Sequence, residues 1–117
     1  MITIFETKEC IEQDEDHLMI HLMNFVDDFR YYKSPSAIQQ PFRRSDEKID
    51  AMLASVVEYL CSELRMQIPE WVSEIQPVKN PWFVSGVESL KAIALVESPV
   101  HFRKRKIFVM ENFLQRV

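Results

Sequence analysis

His17 and His21 stand four residues apart in a segment of helical periodicity, with Asp14 one turn earlier. On a helix this spacing turns two imidazoles and a carboxylate to one side, and these are donor types that zinc accepts. The chemistry would be metal-assisted hydrolysis. A catalytic zinc takes about three protein ligands, and His101 is the single histidine beyond this pair. Glu15-Asp16-His17 also lacks the His-Glu-x-x-His order of metalloproteases. The favoured reading is histidines at the surface or the core edge. A metal-dependent hydrolase at His17, His21 and Asp14 stays as an alternative.

The other reactive types assemble less chemistry. Glu12, Asp14, Glu15, Asp16, Asp27 and Asp28 have the types of a general acid and base, but they read as one solvated helix face. A serine nucleophile needs a strained elbow built with glycine, and Gly86 is the one glycine in 117 residues. The same count excludes Gly-rich phosphate and dinucleotide loops. No catalytic residue and no cofactor are expected. Cys61 falls on an apolar helix face and reads as a buried thiol rather than a nucleophile.

The strongest polar feature is basic. His101-Phe102-Arg103-Lys104-Arg105-Lys106 sets four permanent charges on about one helical turn and its exit. Arg43 and Arg44, beside Phe42, extend it. Such a patch can neutralise phosphates and hold DNA or RNA in a salt-dependent way. Equally, these bases can serve a helix C-terminus or pair with the acidic N-terminal helix. Trp71, Trp82 and Phe83 lie beside prolines. They either close the ends of the core or anchor a partner.

These residues need elements to place them. The scarcity of glycine disfavours an all-β fold and favours helices. Leu18, Leu22, Phe25, Val26 and Phe29 predict one amphipathic helix from about Thr7 to Tyr32, with Met1–Phe5 a brief strand or its lead-in. Residues 33–44 read as a loop, with Pro35 and Pro41. Ser45 reads as the N-cap of a second helix running to about Met66. Pro69 opens a short turn around Trp71. Ser85 and Glu88 read as a capping box ahead of a helix of about eleven residues carrying Leu90, Ile93, Ala94 and Val96. Ser98-Pro99 reads as a new cap, with a basic helix from Val100 to Lys106. Ile107–Val109 reads as extended, with residues 2–5 as a possible strand partner, and Glu111–Val117 as a last helical turn or two. The expected fold is all-α: a compact bundle of about four to five helices with proline-rich connectors and at most one very short strand pair. It is one domain over residues 1–117, with an acidic helix and loop at 1–44 and a helical core with a basic C-terminal segment at 45–117.

Charge is unevenly spread. Residues 1–30 hold eight acids against Lys8 and Arg30, a net −6, while the remainder is +2 and the whole chain −4. A negative protein is not drawn to nucleic acid as a whole. No apolar run reaches the roughly 18 residues of a membrane span, and the N-terminus lacks a signal-peptide pattern. Two cysteines suit a reducing cytoplasm.

Landmarks from Ile49 onward resemble a small bacterial family. They are Ile68-Pro69-Glu70-Trp71-Val72, then Pro81-Trp82-Phe83, then Glu97-Ser98-Pro99-Val100-His101-Phe102-Arg103-Lys104-Arg105-Lys106-Ile107-Phe108-Val109, closed by Leu114 and Arg116. In that family the domain stands alone or follows a DNA-binding helix-turn-helix, often beside genes for nucleotidyltransferase toxins. The resemblance implies an antitoxin-like or regulatory accessory protein. Residues 1–44 carry no DNA-binding module, and Lys106 stands where the family pattern has asparagine. The expectation is therefore a non-enzymatic, cytoplasmic protein that binds another protein, such as a toxin encoded nearby, and that can form a homodimer. Partner contacts would come from Arg43, Arg44, Arg103, Lys104, Arg105, Lys106, Trp71 and Trp82. A nucleic-acid-binding regulator using the basic patch is the main alternative.

Overall fold

Helix α4 (Glu47–Leu64) is the element the rest of the chain surrounds. Every residue from Ile49 to Glu58 on it is buried, so this helix is covered on nearly all sides. Small residues, Ala51, Ala54 and Ser55, let neighbours approach on the flank opposite Met52, Leu53 and Val56. The cap is Asp46 rather than Ser45: Asp46 Oδ1 accepts from the amides of Lys48 at 2.9 Å and Ile49 at 3.0 Å. The Ser45 amide instead donates to Asp50 Oδ2 at 2.9 Å.

The computed structural model describes residues 1–115. The predicted first helix is two helices. α1 (Ile4–Gln13) starts at a capping box, in which Thr3 Oγ1 accepts from the Glu6 amide at 3.1 Å and Glu6 Oε1 accepts from the Thr3 amide at 3.3 Å. The segment from residue 4 is thus helical and unavailable as a strand. A single 3₁₀ turn (Glu15–His17) follows, then α2 (Leu18–Tyr32). The acid run explains the break. Asp14, the C-cap of α1, is bonded by His17 and His21 across the turn, and Glu15 and Asp16 open the 3₁₀ turn, whose N-terminal end favours negative charge.

The expected loop after α2 contains a short helix, α3 (Ser36–Gln39), which buries Ala37 and Ile38. α5 (Glu70–Glu74) follows Pro69 and buries Trp71 and Val72. Strand β1 (Trp82–Phe83) comes next. Gly86 then takes φ +67° and interrupts the predicted capping box. Ser85 Oγ accepts from Val87 N at 3.3 Å, and Glu88 pairs with Lys91 at 3.0 Å, so a 3₁₀ turn (Glu88–Leu90) precedes a short α6 (Lys91–Glu97). α7 (Val100–Arg103) ends before Lys106, because the chain turns to bring Arg105 inward and Lys106 takes φ +63°. Ser98 does not cap α7. Its buried hydroxyl donates to Ile107 O at 3.1 Å and accepts from Val109 N at 3.2 Å, which fixes strand β2 (Ile107–Phe108).

The strands pair in parallel, Trp82 opposite Ile107 and Phe83 opposite Phe108, so β1 replaces residues 2–5 as the partner. The crossover that a parallel pair requires is supplied by α6 and α7. Past β2, residues 111–114 form turns; Arg116 and Val117 lie outside the described residues. The result is a mostly helical, compact bundle with one two-stranded pair among the described residues. One core runs from Ile4 through α4 to Leu114. The Cα radius of gyration of 13.4 Å matches a folded chain of this length. No helix among the described residues is long and apolar enough to cross a membrane.

Candidate functional site

Two buried carboxylates on α4, Asp50 and Glu58, gather Lys8, His101, Lys104 and Arg105. Asp50 receives Lys8 of α1, whose side chain is 1% exposed, and the same ammonium donates to Arg43 O at 2.8 Å and lies 5.0 Å from the centre of the Phe42 ring. Glu58 receives the basic segment. His101 Nδ1 and Lys104 Nζ each lie 2.6 Å from Glu58 Oε2, and Arg105 Nη1 lies 3.2 Å from Oε1. Burial works against charge on Glu58, but the hydrogen bonds from Lys104 and His101, with the charge of Arg105, hold its carboxyl below the usual value.

The basic segment therefore divides. Arg105 is 3% exposed, and it also donates to the carbonyls of Val72 at 2.8 Å, His101 at 3.2 Å and Ile75 at 3.4 Å. It serves the core and presents nothing to a partner. Lys104 is half exposed but committed to Glu58, so Lys104 and Arg105 both pair with the central helix. Arg103 and Lys106 face solvent. Arg44 reaches Glu74 at 3.2 Å, and Arg43 is exposed. Arg43 and Arg44 border a polar cleft of about 480 Å³ with Phe5, Glu9 and Glu12.

Trp71 is core: its ring meets Phe42 edge-on at 5.2 Å, and Nε1 donates to Ile38 O at 2.9 Å. Trp82 is half-buried, with Lys48 Nζ 5.7 Å from the centre of its ring. Cys61 is buried, and burial with the nearby Glu58 charge pushes its thiol up to about 11, far from a nucleophile's range.

The structure does bring Asp14, His17 and His21 together. Asp14 Oδ2 lies 3.0 Å from His17 Nδ1 and 3.1 Å from His21 Nε2, and Oδ1 lies 2.9 Å from His17 Nδ1. These hydrogen bonds, His17 first, lower the Asp14 carboxyl from its ordinary 3.8. The carboxylate bridges the two rings across the α1–α2 break. Among the described residues no group of three or more His, Cys, Asp or Glu side chains is arranged to hold a metal ion.

The feature that the pattern of residue types did not expose lies around α6. The sequence places Leu90, Ile93, Ala94 and Val96 on one helix or at its start. Ala94 alone is buried on α6, while Ile93, Leu95 and Val96 are 42%, 47% and 79% exposed, flanked by exposed Val87 and Val100. Beside α6 lies an apolar groove of about 270 Å³, lined by Met19, Val84, Ala94, Phe108, Met110 and Phe113.

No family model, curated protein or solved structure matches the chain. Monomers rarely leave a large apolar patch in water, and patches of this kind mark interaction surfaces. A short helix with its apolar side chains turned outward, next to an apolar groove, can bury surface against a second molecule. Of the cations that suggested phosphate binding, Lys104 and Arg105 are engaged by Glu58 and Arg44 by Glu74, while Arg43, Arg103 and Lys106 face solvent.

Proposed function

We propose that this protein acts by binding another protein, as a non-enzymatic accessory factor of antitoxin-like or regulatory character. The observation that carries the reading is the outward apolar face of α6, with Ile93, Leu95 and Val96 exposed beside the groove. The family resemblance of the segment from Ile49 onward supports the same role, with a toxin encoded nearby as the partner. The bacterial cytoplasm is the proposed setting, and the free thiols of Cys10 and Cys61 are consistent with its reducing conditions. Interface strength usually resides in a few apolar and aromatic side chains. Here these would be Val96, Leu95 and Ile93, with Arg103 and Lys106 at the rim.

The test is recovery of the tagged chain from its native host, with and without nuclease, alongside Val96→Asp. A nuclease-resistant protein captured by the wild type and lost from Val96→Asp is the expected result. Repeated recovery of the wild type without a protein would overturn the reading. Recovery of nucleic acid that is released at moderate salt would replace it with phosphate binding by Arg103 and Lys106.

A further inference from the structure

The groove beside α6 has a distinct chemistry of its own. Its floor and walls come from four places in the chain: Met19 on α2, Val84 after β1, Ala94 on α6, and Phe108, Met110 and Phe113 on and after β2. At about 270 Å³ it falls below the roughly 300–1,000 Å³ of small-molecule sites. It suits one or two apolar side chains of a docked segment better than a cofactor.

Its rim is acidic. Glu15 and Asp16 precede Met19 by one turn, exposed and outside any ion pair among the described residues. Glu111 follows Met110, and its backbone amide donates to Glu97 Oε1 at 3.2 Å, which holds the exposed Glu97 carboxylate at the Met110 end; Glu111 is itself exposed there. The nearby cation, Lys91, is already engaged by Glu88 at 3.0 Å and by the face of Phe83. An apolar trough between carboxylates is complementary to a helix with an apolar stripe and lysine or arginine on either side.

We infer that the groove receives the apolar stripe of a basic amphipathic segment of the partner protein, with its cations meeting Glu15, Asp16, Glu97 and Glu111. This inference rests on the protein-binding reading above and names the chemistry of the segment that docks. Apolar contact supplies the affinity, and the carboxylates select against acidic segments.

Two synthetic helices test it on the full chain. Both carry leucine at i, i+3, i+4 and i+7; one carries lysine elsewhere and its twin carries glutamate. The lysine helix is expected to shift the amide resonances of Met19, Ala94, Met110 and Phe113, and the glutamate twin to leave them in place. Met19→Asn, at an exposed position that folding tolerates, should weaken binding roughly fivefold. Neutralising Glu15, Asp16, Glu97 and Glu111 together to their amides should weaken it about tenfold or more. Equal binding of the two helices, shifts confined to the outer face of α6 or to Arg103, or no binding at all overturns the proposal. So does a dimer whose interface covers the groove, since a second copy is then the occupant. If the native partner is still captured by the chain carrying the groove substitutions, the protein-binding reading survives and this inference alone falls.

Discussion

Arg105 approaches Glu58 with Nη1 at 3.2 Å from Oε1, and its remaining donors close the carbonyls of Val72, Ile75 and His101. One guanidinium thus ties α5, α7 and the central helix α4 together from a buried position. Lysine carries a single compact donor group and cannot reach these acceptors at once. Arg105→Lys should cost about 2–3 kcal/mol through carbonyls left unpaired. Glu58→Gln should cost about 3–5 kcal/mol, because it leaves the Arg105 charge buried without a counter-charge. Urea unfolding of the three proteins measures both differences, and equal midpoints would show that the clamp is not formed in solution.

Acid should weaken the same cluster. Burial raises the Glu58 carboxyl, yet Lys104, His101 and Arg105 more than offset this and hold it below its ordinary 4.5. A folded value below the unfolded one means that the unfolded chain binds more protons in acid. The Glu58 contribution is then whole above pH 4.5 and is lost as pH falls through the folded value. Urea midpoints across an acid series should drop for the wild type, with a shallower drop for Glu58→Gln.

Asp14 should titrate below 3.8, since His17 and then His21 hydrogen-bond its charged form. Carboxyl-carbon NMR of the wild type, His17→Ala and His21→Ala reads this directly. His17→Ala should raise the value toward 3.8 by more than His21→Ala does, and a value unmoved by both would dissolve the cluster.

Lys8 and Asp50 should be coupled. Lys8→Met strands Asp50 at a 6% exposed site, with an expected loss of roughly 3–5 kcal/mol. Lys8→Met with Asp50→Leu should recover much of that loss, because a well-filled apolar pair replaces a buried ionic one. Thermal unfolding of the single and double variants completes the cycle, and strict additivity would deny the coupling.

Cys10 and Cys61 should differ in reactivity. Cys10 is exposed, while the buried Cys61 thiol is pushed up to about 11. Mass spectrometry after brief alkylation at neutral pH should find one adduct on the folded chain, at Cys10, and a second only in denaturant. Fast native labelling of Cys61 would mean that α4 opens readily.

The helical class, the central helix and the short extended run at residues 107–109 were legible because each rests on local pattern: one glycine, long 3.6-residue periodicity and a β-branched or aromatic run. The Thr3-x-x-Glu6 box was equally local, and it was the signal that would have placed the start of α1 correctly. Helix ends were less legible for a specific reason. Lys33, Arg65 and Lys106 take φ of 51°, 55° and 63°, the conformation usually marked by glycine, so the usual punctuation is missing.

By itself, the sequence determined that the chain would bury the apolar sides of packed helices, with a net charge of −6 gathered in the first thirty residues. Tertiary structure decided what the charges are for. Glu58 lies 43 residues from His101 and 47 from Arg105, and Asp50 lies 42 from Lys8, so neither pairing has a local signature. Periodicity shows that a helix has an apolar side but not which neighbour arrives to cover it. α4 is enclosed by the elements around it, whereas α6 keeps Ile93, Leu95 and Val96 in water because no element of the described chain packs over them. That difference, invisible until the chain is folded, separates the core of this protein from its candidate binding surface.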